Sequence, residues 1–488
     1  MRRLFIWFVF LICSITTFSS YSQKLIQIRT AIQISSTISD GKYSLFQIAK
    51  IAKDNGIKAV VFTDKGFMRW EYGLWPLRCL IKKTVISNSI VQYKPQRYLK
   101  DIADLESQFP HMVFISGVDS SPFYYWRGSF ISGDLTICNW HKQLIAIGLN
   151  KPSDYINLPV IGNPKALRDG IEIFKLWPFV TLSIGLLLFK RRIYSYKDIH
   201  GKELAPYSKG SRIKGSLIIV LSILFILNNW PPFKVKFDAY HGDLKSAPYQ
   251  NFIDYVNRIG GLVFWTHPEA ENISQRGKVK IETKKYPQEL LYTKGYTGFT
   301  VFPAGYKEIG KPKGIWDTLL KEYCSGKRKR PVWAIGTLSF DQQGELSKRI
   351  SAVSTVLLVN KLTKKEIIKS LKKGRMYTLK GEETLKFILD EFSVVDKKTN
   401  RKATLGETIV LENNLFVRIK GHFIENDSSS FEIKLIRDGR VIKRFKEKNF
   451  FDISYEDVLK KRENSYYRLE IRSQGLIVIT NPIFVSFK

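Results

Sequence analysis

The residues of this chain best able to do chemistry collect at the ends of short apolar runs. In order they are Gln33, Ser35, Ser36, Ser39 and Asp40, then Asp64 and Lys65, then Asp119, His141 and Gln143, and finally His267, Thr300, Ser339 and Asp341. Carboxylates and imidazoles at strand ends can hold a divalent metal or carry protons. Asp40, Asp119, His267 and Asp341 are strand-end groups of that kind. Lys65 points to different chemistry. An ammonium group among acids repels a metal and favours a salt-bridged pocket, with Asp64, Lys65 and His141 as candidate members and Asp40 or Asp119 as further partners. Strand-end Asp residues and a His-Pro pair also satisfy backbone donors and cap helices. Residue type alone therefore leaves a metal site, a binding pocket and a structural role open.

Periodicity predicts the elements that must position these groups. Residues 25–34 read as a strand. Ser44, with Gln47 three residues on, forms a capping box for a helix ending near Asn55, whose face carries Leu45, Ile48, Ile51 and Ala52. Gly56 stops it, and 58–63 is an apolar strand. A helix at 97–109 and strands at 112–118 and 143–149 follow. Later come helix 249–259, strands 262–266 and 298–303, helix 314–323, strands 331–337 and 352–359, and helix 363–373. This alternation predicts a mostly parallel α/β domain. From about 385 only strands are expected, with Asp438-Gly439 as a type I′ turn between two of them, giving a small C-terminal β-sandwich over 385–488.

Three apolar stretches bear on location. Arg2 and Arg3, the apolar run Leu4 to Ile15 and Ser20-Tyr21-Ser22 have the layout of a signal peptide over 1–22, with an uncleaved anchor as the other possibility. Ile171 to Phe189 and Gly215 to Phe233 are each 19 residues long, near the ~20 needed to cross a bilayer. The loop between them, 190–214, holds Lys190, Arg191, Arg192, Lys197, Lys202, Lys209, Arg212 and Lys214 against Asp198 and Glu203. Such an excess belongs on the cytoplasmic side. A transmembrane hairpin over 171–233 then leaves 23–170 and 234–384 outside the inner membrane, as two halves of one interrupted domain.

Composition narrows the function classes. With 44% hydrophobic and 13% aromatic residues in 488, packed cores are expected and global disorder is excluded. The formal net charge of +34 favours anionic surroundings, yet the cations are spread along the chain. The run 361–375 reads as an amphipathic surface helix that could meet anionic lipid headgroups. Lys327 to Arg330 reads as a basic loop. Nucleic acid is disfavoured, because no basic patch is interleaved with aromatics. Four cysteines without paired spacing provide neither a disulfide framework nor a zinc ribbon.

Between about residues 28 and 380 the order of motifs resembles the PHP (polymerase and histidinol phosphatase) superfamily of metal-dependent phosphoesterases, in particular exported, membrane-associated members. That family's HxHSxxSDG motif is matched by Ser36, Ser39, Asp40 and Gly41, with Gln33 and Ser35 where its two His belong. Its TDH motif becomes Thr63-Asp64-Lys65, its GxE becomes Gly117-Val118-Asp119, and a further His becomes Gln143. His267-Pro268 is kept, Thr300 stands on the next strand end, and the terminal Asp and His become Ser339 and Asp341. The resemblance implies a distorted (β/α)7 barrel and a multimetal phosphoesterase site. Gln, Ser and Lys cannot replace imidazole ligands, so loss of multimetal catalysis is expected. Two readings follow: a ligand- or partner-binding protein, with anionic lipid headgroups or another envelope protein as partners, and a phosphoesterase in which Asp40, Asp119, His267 and Asp341 hold at most one zinc or manganese ion.

Overall fold

The computed structural model describes residues 25–190, 199–201, 209–339, 344–382, 384–412, 414–424, 430–459 and 462–487. The expected signal peptide, most of the basic loop 190–214 and the candidate ligand Asp341 lie outside these residues.

Local signals near the N-terminus operate as their chemistry dictates. The Ser44 hydroxyl accepts from the Gln47 N–H, and the Gln47 side chain accepts from the Ser44 N–H. The helix they start, α1 (Leu45–Asp54), buries Leu45, Ile48, Ala49 and Ala52. Nine strands carry the main sheet: β1 (Ile26–Ile34), β2 (Ala59–Phe62), β3 (Val113–Ser120), β4 (Leu144–Ile147), β5 (Leu262–Trp265), β6 (Gly298–Phe302), β7 (Trp333–Gly336), β8 (Val353–Val359) and β9 (Met376–Gly381). Their spatial order is β7-β6-β5-β4-β3-β2-β1-β8-β9. Strands β2 to β7 are buried throughout, which is why they read as apolar runs and not as alternating patterns.

The expected mostly parallel sheet is corrected to a mixed one. Pairs β1/β2, β2/β3, β5/β6 and β6/β7 are parallel, whereas β3/β4, β4/β5, β1/β8 and β8/β9 are antiparallel. The segment between β3 and β4 contains only short strands and turns, and an antiparallel neighbour needs no crossover helix. The far strand β7 returns towards β1 and β8. Leu338 N–H donates to Ile32 O at 2.8 Å, and Gly336 N–H donates to Thr355 Oγ1 at 2.9 Å. These are single bonds and not a ladder.

Between β4 and β5 two apolar helices, α2 (Trp177–Lys190) and α3 (Lys209–Asn229), pair with each other. The spans Ile173–Lys190 and Arg212–Asn229 are long and apolar enough to cross a membrane and are little buried. A Cβ at Gly215 would come within 2.9 Å of Gly185 O, so small residues set their close approach. The Thr181 and Ser222 hydroxyls, 2.8 Å apart, bridge them.

From Phe387 onward the described residues form strands and no helix. Some extend the main sheet beyond β9, and four others make a separate sheet; both sheets contribute to a second apolar core containing Leu379, Phe387, Phe431 and Leu469. Asp438 and Gly439, at φ 49° and 75°, form the turn between Ser430–Arg437 and Arg440–Lys448. Helix α4 (Lys364–Lys373), expected as a surface helix, turns Ile367 and Leu371 into the main core.

Candidate functional site

The loop after β1 is built around one buried carboxylate. Asp64 Oδ1 accepts from the Ser36 N–H at 2.7 Å and the Ser39 hydroxyl at 2.7 Å; the Ser36 hydroxyl lies 3.0 Å from both carboxylate oxygens. The loop folds back so tightly that a Cβ at Gly41 would stand 2.1 Å from Ser35 O, which explains the glycine. Burial pushes the Asp64 carboxyl up to about 6, against the lowering effect of its hydroxyl and backbone donors. Asp64, expected in the pocket, is therefore corrected to a clamp beneath it. Ser36, Ser39 and Asp64 hold a loop here.

The next residue faces outward. Backbone pairing of β2 with β3 continues past the strand ends, with Asp119 N–H donating to Asp64 O and Gly66 N–H to Asp119 O. This makes Lys65 and Asp119 register partners, so their side chains emerge together. Lys65 Nζ lies 2.7 Å from Asp119 Oδ2, with the two side chains 14% and 3% exposed. Gln33, at φ 66°, places Nε2 3.4 Å from the same oxygen.

His267 closes the group from β5. Its N–H donates to Thr300 Oγ1 at 2.9 Å, so Thr300 is a fully buried positioning residue. Burial drives the imidazole down to about 4; the Asp119 charge opposes this and the Lys65 charge adds to it. His267 is thus neutral at neutral pH. Among the described residues, three buried lone-pair atoms here have no hydrogen-bond partner: Gln33 Oε1, Asp119 Oδ1 and His267 Nε2.

These side chains line a cleft of about 290 Å³. Ser35, Asp40, His141, Gln143 and Ser339 also line it. His141, expected on the strand face, lies instead in the turn before β4, its N–H held by Thr283 Oγ1 at 3.0 Å. Sequence reasoning missed the opposite wall, formed by Phe67, Met68, Arg69 and Trp140. It also missed Tyr286, whose hydroxyl donates to Thr266 O beneath the site. Burial pushes that phenol up. These groups come from loops and a small hairpin without periodic pattern, so only the Trp140-His141 pairing offered a sequence signal.

Among the described residues no three His, Cys, Asp or Glu side chains form a group that could hold a metal ion. Lys65 also argues against the fit. A divalent ion on the free oxygen of Asp119 would stand roughly 5 Å from the ammonium, a repulsion of about 7 kcal/mol at an effective dielectric of ~20. The arrangement offers acceptors and one cation, suited to a ligand rich in hydroxyl or N–H donors.

No family model matches the chain, and no curated protein matches it. Among solved structures it is similar to a two-domain protein from Bacteroides vulgatus containing a predicted PHP-like metal-dependent phosphoesterase, at 12% identity and a TM-score of 0.34 over 92% of this chain and 95% of that one. An amidohydrolase from Chromobacterium violaceum matches at 11% identity and a TM-score of 0.28, over 64% and 88% of the two chains. At TM-scores this low the likenesses carry no argument about fold or chemistry.

Proposed function

We propose that this chain is a membrane-tethered, extracytoplasmic protein with a distorted PHP-like barrel and an appended β-sandwich, which has lost multimetal catalysis and acts by binding a ligand or partner. The observation that carries this is the Lys65–Asp119 ion pair. An ammonium 2.7 Å from the carboxylate stands where the resemblance would put a ligand imidazole. The return of β7 to β1 and β8 supports the barrel reading. The two exposed apolar helices support the tether. The basic loop and the signal-like N-terminus support the orientation.

A second reading rests on the orphaned atoms. Gln33 Oε1, Asp119 Oδ1 and neutral His267 Nε2 could serve one zinc or manganese ion if Lys65 swung away. Metal analysis of the purified full chain, with a phosphoester hydrolysis assay, separates the two. The binding reading expects sub-stoichiometric metal and no turnover. Stoichiometric metal, with hydrolysis lost in both Asp119→Ala and His267→Ala, would overturn it.

A further inference from the structure

The end of α3 is tied to a hairpin formed by Arg69–Gly73 and Lys82–Ile86. Cys79 N–H, in its turn, donates to Asn228 Oδ1 at 2.9 Å. Arg78 stacks 4.1 Å from the Tyr240 ring, and the Tyr240 hydroxyl accepts from Gly73 N–H at 2.8 Å. The turn thus sits where the apolar helices join the rest of the protein. Trp75, Leu80 and Ile81 on it are exposed, as are Trp177 and Trp230 at the helix ends. Exposed aliphatic and Trp side chains at the end of a span are the signature of a bilayer interface.

A groove of about 670 Å³ opens beside this turn. Its floor includes Trp70, Tyr72, Leu74 and Leu135, its cations are Lys83, Arg276, Lys278 and Lys82, the last paired with Glu71 at 3.3 Å, and among the described residues no carboxylate lines it. That volume is in the range of sites that enclose a small molecule. An apolar floor edged by cations complements an amphiphile with a negative head. A soluble anion would leave the floor in water, and a peptide would have no need of the position beside the helix ends. We propose that the groove binds an anionic phospholipid of the membrane the helices occupy, with an acyl chain on the floor and the phosphate among the cations. This rests on the membrane-tethered reading above. Trp70, Arg276 and Val279 also wall a cavity of about 40 Å³ that reaches Met68 and Trp140. Those two residues line the Lys65–Asp119 cleft, so the lipid stands one layer of side chains from it.

The test uses the full chain in phosphatidylcholine nanodiscs containing phosphatidylglycerol with a photoreactive acyl chain. Crosslinks are expected on peptides carrying Trp70, Leu135 and Val279 as well as on α2 and α3. Val279→Trp should fill the groove and abolish its crosslinks while those on the helices persist. Arg276→Gln or Lys278→Gln, each removing one exposed cation, should lower groove crosslinking by about fivefold per site, since each surface cation contributes about that factor towards anionic lipid. A photoreactive phosphatidylcholine should label the groove less. Crosslinks confined to the helices, or groove crosslinks equal for both lipids and insensitive to these variants, would overturn the proposal. Failure of the tether reads differently: the chain would be released from membranes by carbonate, and the helices would not be labelled either.

Discussion

Replacing Lys65 by Met removes the ammonium that neutralises Asp119 and leaves a carboxylate 3% exposed, whose remaining hydrogen bond among the described residues is the 3.4 Å contact to Gln33 Nε2. Breaking a buried ion pair from one side typically costs about 3–5 kcal/mol. The Lys65 side chain is 14% exposed, so water screens the outer side of the pair and roughly 2–3 kcal/mol is the better expectation. Asp119→Asn should cost less, because the long Lys65 side chain can carry its charge towards the cleft mouth. The decisive quantity is the coupling in a double-mutant cycle of Lys65→Met and Asp119→Asn. About 2 kcal/mol is expected, read from urea unfolding of the full chain in detergent by tryptophan fluorescence. A coupling within about 0.5 kcal/mol of zero would refute the idea that this pair organises the cleft. Removing the cation also removes the repulsion of a metal, so zinc should raise the unfolding midpoint of Lys65→Met more than that of the native chain.

Asp64 and His267 should make opposite contributions to stability with pH. A carboxyl at about 6 when folded, against 3.8, costs stability as pH rises through that window; an imidazole at about 4, against 6.5, costs stability as pH falls through its window. Each amounts to roughly 3 kcal/mol. Asp64→Asn should therefore lose stability between pH 6.5 and 4 more steeply than the native chain, and His267→Gln should gain it, as read from unfolding midpoints across the range. Arg468, fully buried, holds Asp317 through bonds of 2.9 and 2.8 Å. Arg468→Met should destabilise the chain by about 3–5 kcal/mol, with part recovered by Asp317→Leu, in the same unfolding assay. Cys79 is exposed on the hairpin turn; a membrane-impermeant maleimide should label it in intact spheroplasts, and labelling only after lysis would reverse the orientation.

Much of the frame was legible because local physics decides it. The Ser44–Gln47 box, the Asp438-Gly439 turn and the apolar runs of β2 and β7 each follow from a few neighbouring residues. Strand direction was not legible. Whether β4 runs parallel or antiparallel to β3 depends on what connects them and what covers the faces, and apolar runs look alike in both cases. The hairpin at 69–86 escaped for a related reason, since its strands are half-buried at best and lack clear alternation.

The amino-acid sequence by itself determined which groups the chain has to work with: Gln33, Ser35, Lys65, Gln143 and Ser339 among the few acids and the one His at the strand ends, and two stretches long and apolar enough to span a bilayer. Composition settles such questions because a missing ligand cannot be supplied by folding. Tertiary structure alone decided which acid Lys65 meets. Asp40, Asp64 and Asp119 were equivalent candidates along the chain. The β2/β3 register put Asp119 beside the ammonium, while the Ser36 and Ser39 donors drew Asp64 beneath the loop. Pairing across residues 54 apart in sequence is set by backbone register, and register exists only once the sheet has formed.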